Sequence, residues 1–375
     1  MTEAELRGRL AGRLEEEGEL PRVWREAYDA APRHLFAPAR GWAIPDDGSR
    51  AGYPIDRDSD PAAWWESVYA DASVITQADD GAGDPATGEG SWTSSLSSPG
   101  AVFANLGHLH PRDGQRVLDV GTGTGWTAAL LSARVGDANV TSVEVDQAVA
   151  EQAAKNLAAA GYRPDLVVGD GAYGHARNAP YDRVHATFGV QTVPWAWVEQ
   201  TRPGGVIVTP WSPGWEFGHL LRLTVGRDRA VGRMVRSAGY MMMRAQRHPI
   251  PARTGTVPDS TATLIDPRDL LWDDYGADLA IAALVPGVVS GTGEEDGGLE
   301  LRVWDGGGSW ATVTYQPGRR EFEVLTYGPR RLWEEVADAY LTWVGWGRPK
   351  RDRFGMTVTP EGQQVWLDSP ERVIG

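Results

Sequence analysis

Three glycines spaced by one residue, Gly121-Thr122-Gly123-Thr124-Gly125, separate an apolar run, Val117 to Val120, from a helix-like run, Trp126 to Val135. Glycines let a backbone turn tightly and come close to a ligand, and the helix that follows offers unpaired N–H groups. Nineteen residues beyond Gly125, a second apolar run (Val140 to Val145) delivers Glu144. An acid at the tip of such a strand accepts hydrogen bonds from a ribose diol. A third acid, Asp170, stands between Gly169 and Gly171 and is suited to an adenine amino group. The spacing Asp119-x-Gly121-x-Gly123-x-Gly125 differs from the Gly-x-Gly-x-x-Gly of a dinucleotide site. A carboxylate beside the loop repels a pyrophosphate and suits a cationic sulfonium. The pattern therefore predicts an S-adenosylmethionine site built from Asp119, Gly121, Thr122, Gly123, Gly125, Glu144, Val145, Gly169, Asp170 and Gly171.

These residues need strands to carry them. From Arg116 to Pro210 short apolar runs (116–120, 140–145, 166–168, 183–187 and 206–208) alternate with helical ones. That alternation predicts a parallel, doubly wound α/β sheet. Upstream, Leu6, Leu10 and Leu14 mark one face of an amphipathic helix over residues 3–17. Segments 46–60 and 78–91 are rich in Asp, Gly and Pro and read as loops, the second a mobile one. Residues 218–226 and 231–245 read as a hairpin, and 249–255 as a linker. Beyond it, helix-like stretches (270–285, 329–343) mix with strand-like ones (299–304, 310–315, 322–325 and a pair around 354–366), giving an α+β appendage.

Composition narrows the partners. A net charge of −15 over 375 residues argues against nucleic acid and acidic membranes. No apolar run approaches the roughly 20 residues needed to span a bilayer, and the acidic, polar start of the chain lacks a signal-peptide pattern, so a cytoplasmic protein is expected. The absence of cysteine excludes thiol catalysis and cysteine-ligated metal, and seven scattered histidines predict no metal site.

Several motifs in one order resemble the protein-L-isoaspartate (D-aspartate) O-methyltransferase family over roughly residues 20–245. They are Pro32-Arg33-His34-Leu35-Phe36-Ala37-Pro38, Arg116 through Trp126, Gly169-Asp170-Gly171, Ala179 through Ala186, and Pro203 through Pro210. The resemblance implies a class I S-adenosylmethionine-dependent methyltransferase with a Rossmann-like sheet. It also implies that Ser95-Leu96-Ser97-Ser98-Pro99 is the substrate loop, with Ser97 facing the reacting carboxylate and Ser95 and Ser98 beside it. Three hydroxyls and their amides suit an anion; equally, Ser98 with Pro99 reads as a helix N-cap and first turn. Arg33, by the same resemblance, and His185 are candidates to offset the acceptor's charge.

The chain departs from that family pattern in two places. A stretch at 78–92 is inserted between Tyr69-Ala70-Asp71 and the serines, and residues 249–375 are added at the end. The expected organisation is a catalytic domain, 1–248, and an accessory α+β domain, 249–375, that recognises a peptide substrate. Similarly extended members accompany ribosomally made, modified peptides, where they methylate an aspartate whose ester closes to a succinimide. The leading expectation is that activity on a dedicated peptide; the alternative is general isoaspartyl repair. An inactive methyltransferase-like binding subunit and a small-acid methyltransferase remain open. A monomer is expected. Seventeen tryptophans, nine at or beyond Trp211, offer either ordinary packing or an apolar face for the peptide.

Overall fold

Thr2 and Glu5 open the first helix by capping each other. In the computed structural model, which describes residues 2–48, 50–215, 218–247, 258–271, 276–295 and 298–375, α1 (Glu3–Glu16) starts with this capping box and buries Leu6, Leu10 and Leu14. After α2 (Arg25–Ala30) come β1 (Arg40–Pro45), β2 (Tyr53–Asp56), α3 (Pro61–Val68), β3 (Ala72–Ala78) and β4 (Trp92–Leu96). The four strands form an antiparallel sheet in the order β2-β1-β3-β4. This sheet was not legible in the sequence, and part of the loop expected at 46–60 is β2.

The 78–92 segment is likewise more ordered than its composition suggests. Two short 3-10 turns (Asp79–Gly81 and Pro85–Thr87) are pinned by Asp79, whose N–H donates to Ser91 O (2.7 Å) and whose carboxylate accepts from Ser91 N–H (2.8 Å). Gly90 packs on the Asp79 carboxylate, and Gly88 packs on the Trp42 ring. The loop expected here thus holds two turns and contacts of its own. Its glycines serve close approach to Asp79 and Trp42.

The chain continues with α4 (Pro99–Leu109), β5 (Val117–Val120), α5 (Trp126–Val135), β6 (Val140–Glu144), α6 (Gln147–Ala159), β7 (Asp165–Val168), β8 (Tyr181–Ala186), α7 (Trp195–Glu199) and β9 (Thr201–Trp211). All five expected runs are strands, parallel and in the order β9-β8-β5-β6-β7. Every residue of β5 is buried, as a central parallel strand requires. The order reverses between β5 and β8, and a doubly wound sheet opens a crevice at the carboxyl ends beside such a point.

The chain divides into two compact units, 1–188 with 196–208 and 189–195 with 209–375. In the second, β10 (His219–Val225) and β11 (Ala230–Ser237) form the expected hairpin, which ends at Ser237 rather than 245. Then come β12 (Asp259–Thr263), α8 (Ala277–Leu284), β13 (Val288–Glu295), β14 (Gly298–Asp305), β15 (Trp310–Tyr315), β16 (Phe322–Tyr327), α9 (Leu332–Gly345), β17 (Phe354–Thr359) and β18 (Gly362–Leu367). Strands β12-β16-β15-β14-β13 make an antiparallel sheet. Strand β17 pairs with β18 and also with β11, from Ala230↔Val358 to Arg233↔Gly355. The border expected between residues 248 and 249 thus falls inside this unit. The linker expected at 249–255 and residues 272–275 of the helix-like stretch lie outside the described residues.

Of the tryptophans described from Trp211 onward, Trp211, Trp215, Trp333, Trp343 and Trp366 are buried and Trp304, Trp310 and Trp346 are half-buried. Their area goes into packing, not into an exposed aromatic face. Among the described residues no helix is long and apolar enough to cross a membrane.

Candidate active site

The glycine loop leaves β5 with Gly121, Gly123 and Gly125 at φ 92°, 54° and 91°. Those angles lie in the left-handed region, where a side chain is strained. Space is also short: a Cβ at Gly121 would collide with the Thr187 hydroxyl and the Phe188 ring, and one at Gly125 would stand 3.1 Å from Leu157 Cγ. Thr187 holds the turn from below, its hydroxyl donating to Gly121 O at 2.6 Å. Gly125 caps α5 without a side-chain bond, so the helix's first N–H groups point out of the loop uncapped by a side chain.

Glu144 ends β6 beside this loop. One carboxylate oxygen accepts from Gly123 N–H (2.9 Å) and the other from Asp146 N–H (3.1 Å). Burial pushes its pKa above the usual carboxylate range, and the two amide bonds oppose that shift. Val145 next to it is 44% exposed, and Val168, at the matching end of β7, is 49% exposed. Side chains this apolar at the crevice offer a wall for a flat ring. Asp170 accepts from Ala172 N–H (2.9 Å) and starts the turn Gly171–Tyr173. Gly171 lies on the Val120 side chain with no room for a Cβ, whereas nothing stands within 4 Å of one at Gly169.

Asp119 differs from expectation. It is 0% exposed, beneath the loop, and touches no open surface. Its carboxylate accepts from the Ser142 hydroxyl (2.8 Å) and faces His185 Nδ1 (3.1 Å). A carboxylate only accepts, so Nδ1 carries the proton of that bond. Asp119, Ser142 and His185 share one row across β6, β5 and β8. Ser142 spends its own proton on Asp119, so Thr122 donates to Ser142 at 2.7 Å. His185, expected at the acceptor's edge, is likewise buried.

In the segment expected to face the acceptor, Ser95 and Ser97 are half-buried, and their hydroxyls have no partner among the described residues. Ser98 is 1% exposed and takes the N-cap position of α4 before Pro99; its side chain makes no cap bond, while its N–H donates to the Ser73 hydroxyl (3.1 Å). This segment runs beside the glycine loop: a Cβ at Gly123 would lie 3.5 Å from Ser95 O. Arg33 does not face the crevice. It is buried, and its guanidinium donates to the carbonyls of Val68, Ala72 (2.8 Å), Leu96 (3.3 Å) and Ser97 (2.9 Å). Burial pulls its pKa down to about 10. Sequence reasoning missed Ser142, in the middle of β6, and Thr187 and Asp146, just beyond strand ends; the only local signal of each is a hydrogen-bonding side chain.

Comparison with known proteins decides what this arrangement belongs to. The family model for protein-L-isoaspartate(D-aspartate) O-methyltransferase matches residues 55–232. Protein-L-isoaspartate O-methyltransferase 2 of Archaeoglobus fulgidus is 33% identical over 208 residues, covering 55% of this chain and 78% of the relative. The chain belongs to this family. Protein-L-isoaspartate O-methyltransferase 1 of the same organism is 32% identical over 224 residues, 59% of this chain and 85% of that protein. A solved protein-L-isoaspartate O-methyltransferase shares the fold at a TM-score of 0.56 with 19% identity, over 97% of this chain and all of the other. The protein is thus a class I S-adenosylmethionine-dependent carboxyl O-methyltransferase. The left-handed glycines, the strand-end acid Glu144 and the open valines fit that cofactor.

Proposed function

We propose that this enzyme methyl-esterifies an aspartate side chain in a dedicated, ribosomally made and modified peptide, and that the ester then closes to a succinimide. The observation that carries this reading is the built 78–92 segment. It joins β3 to β4, the strand that leads into the free hydroxyls of Ser95 and Ser97. A repair enzyme must accept many sequences, and an ordered structure at the acceptor's entrance narrows what enters.

The glycine loop, Glu144, Val145 and Asp170 would hold S-adenosylmethionine, with Asp119 and Thr122 fixing the loop from below. That cofactor supplies an electrophilic methyl group. A carboxylate is ionised at neutral pH, so the chain needs no general base. Ser95 and Ser97, with neighbouring amides, orient the carboxylate and replace its water, and the rate comes from alignment and desolvation. The ester carries a better leaving group than the acid, and the next backbone nitrogen displaces methanol to give a five-membered imide without further help from the enzyme.

A second reading, methylation of isoaspartyl residues in damaged proteins, is favoured by one finding. The solved family member matches 97% of this chain, so residues beyond 249 are not by themselves the mark of a dedicated substrate. Methyl transfer to a short isoaspartyl peptide and to the modified precursor, followed by mass spectrometry, separates the two. Comparable turnover of the generic peptide would sink the dedicated-peptide reading.

A further inference from the structure

We propose that Gln77 is a positioning residue: it latches the acceptor strands to the strand-end acid of the cofactor site through Asp146, so that filling the cofactor site also fixes the serines. This goes beyond the choice of acceptor, and holds for either substrate reading.

The backbone already departs from regularity to make the contact. Along β3, the pairing with β4 shifts between Ile75 and Gln77 and again between Gln77 and Ala78. A bulge re-aims the side chain at its centre and is common beside active sites. Both ends of the Gln77 amide are used. Its oxygen accepts from the Thr93 hydroxyl (2.8 Å) on β4, which sets the amide's orientation, and its nitrogen donates to Asp146 Oδ2 (3.2 Å). The other Asp146 oxygen caps α6 at Ala148 N–H (3.0 Å) and Val149 N–H (3.2 Å). The Asp146 N–H holds one oxygen of Glu144, and Gly123 N–H holds the other.

These contacts run almost full circle, in a ring open only at its last step. From Ser95 the path runs along β4 to Thr93, across to Gln77, then to Asp146, Glu144 and Gly123, where a Cβ, if there were one, would stand 3.5 Å from Ser95 O. A diol bound at Glu144 loads the same carboxylate that Asp146 and Gly123 hold. Through the ring, order gained at the cofactor site is passed to the serine strand, and by linkage an ordered acceptor strengthens cofactor binding to the same degree.

The test uses the full-length protein and S-adenosylhomocysteine as probe, with hydrogen–deuterium exchange as readout, so it needs no knowledge of the acceptor. In the wild type, the probe is expected to slow exchange over both 121–125 and 92–97. In Gln77→Met, slowing over 121–125 should persist while that over 92–97 shrinks about tenfold, the loss typical of a hydrogen bond to a charged group. Asp146→Asn keeps a helix cap and should give part of the same loss, with Gln77→Met adding little on top of it. Gln77→Glu should be worse than Gln77→Met, and Asp146→Asn should rescue it by restoring a donor opposite an acceptor. Equal slowing over 92–97 in wild type and Gln77→Met, or additive losses from the two sites, would overturn the latch. Should Gln77→Met fail to fold, the rescue of Gln77→Glu by Asp146→Asn still decides the question.

Discussion

Replacing Arg33 separates two roles that the sequence cannot tell apart. The guanidinium reaches four backbone carbonyls, two of them on the segment that carries Ser97, and is 1% exposed. One terminal nitrogen bonds Val68 and the two protons of the other are shared among three carbonyls, so three full bonds are lost; at about 1.5–3 kcal/mol each for a charged donor they remove at least about 4.5 kcal/mol. Against that, Arg33 is costly to keep charged where it is. Its pKa is lowered from 12.5 to about 10 by burial, and a shift of that size corresponds to about 3 kcal/mol that the mutant no longer spends. The net loss for Arg33→Met is therefore at least about 1.5 kcal/mol. For a unit of this size that lowers Tm by at least about 3 °C. Arg33→Lys keeps the charge without the planar fork, cannot serve all four carbonyls, and should recover only part of the loss. Differential scanning calorimetry with steady-state methyl transfer reads both quantities. If Arg33 instead neutralised the acceptor carboxylate, Arg33→Lys would keep both Tm and KM, and Arg33→Met would raise KM with Tm nearly unchanged. That pattern would refute the structural role.

Other expectations follow from the same geometry. Because burial holds the folded Glu144 carboxyl above 4.5, the stability gained by protonating it is present below 4.5 and lost as pH rises through the raised value. With Glu144 in its proposed role, S-adenosylhomocysteine affinity should run the opposite way and fall as pH drops through that value; calorimetric titrations in which Glu144→Gln kept the wild-type pH slope would contradict this. Gly121→Ala, strained at φ 92° and blocked by Thr187 and Phe188, should weaken the probe's binding at least about tenfold, and unchanged affinity by the same titration would show the loop to be slack. Deleting residues 249–375 removes β17 from β11 and should yield aggregated protein on size-exclusion chromatography, whereas a soluble, cofactor-binding fragment would restore a domain border at 248.

The parallel core was readable because buried parallel strands are continuous apolar runs, and Val117–Val120 and Val140–Glu144 sit where those runs predict. The sheet of β1 to β4 was not, for a physical reason. Its strands are short, carry Pro45 and Pro54, and are defined by pairings such as Trp42↔Ile75 that one strand's pattern does not reveal. The 78–92 segment misleads in the same way. Asp and Gly there suggest solvation and flexibility, yet Asp79 is a hydrogen-bonding hub and Gly88 and Gly90 are contact points. At the site, positions were legible while orientations were not. Glu144 and Asp170 lie at strand ends where the spacing put them, but an arginine facing four carbonyls and one facing a substrate have identical sequences.

Asp119 makes the strongest case for reading such motifs through packing. An acid ahead of the first glycine invites assignment to the cofactor's charge, yet a fully buried carboxylate persists only if donors surround it. Here the donors come from the strands on either side, Ser142 on β6 and His185 on β8, so the acid joins three strands at one level. Its effect on a ligand passes through Thr122, which Ser142 holds from below. Asp119→Asn should therefore act on the loop and not on ligand charge. The amide cannot accept from both neighbours with both of its ends, so one buried donor loses its acceptor at about 1–3 kcal/mol. Thr122→Val should then cost less in the Asp119→Asn variant than in the wild type, because the chain it would cut is already loosened. Thermal denaturation and probe binding of the two single variants and the double variant measure that coupling, and strictly additive effects would show Asp119 and the loop to be independent.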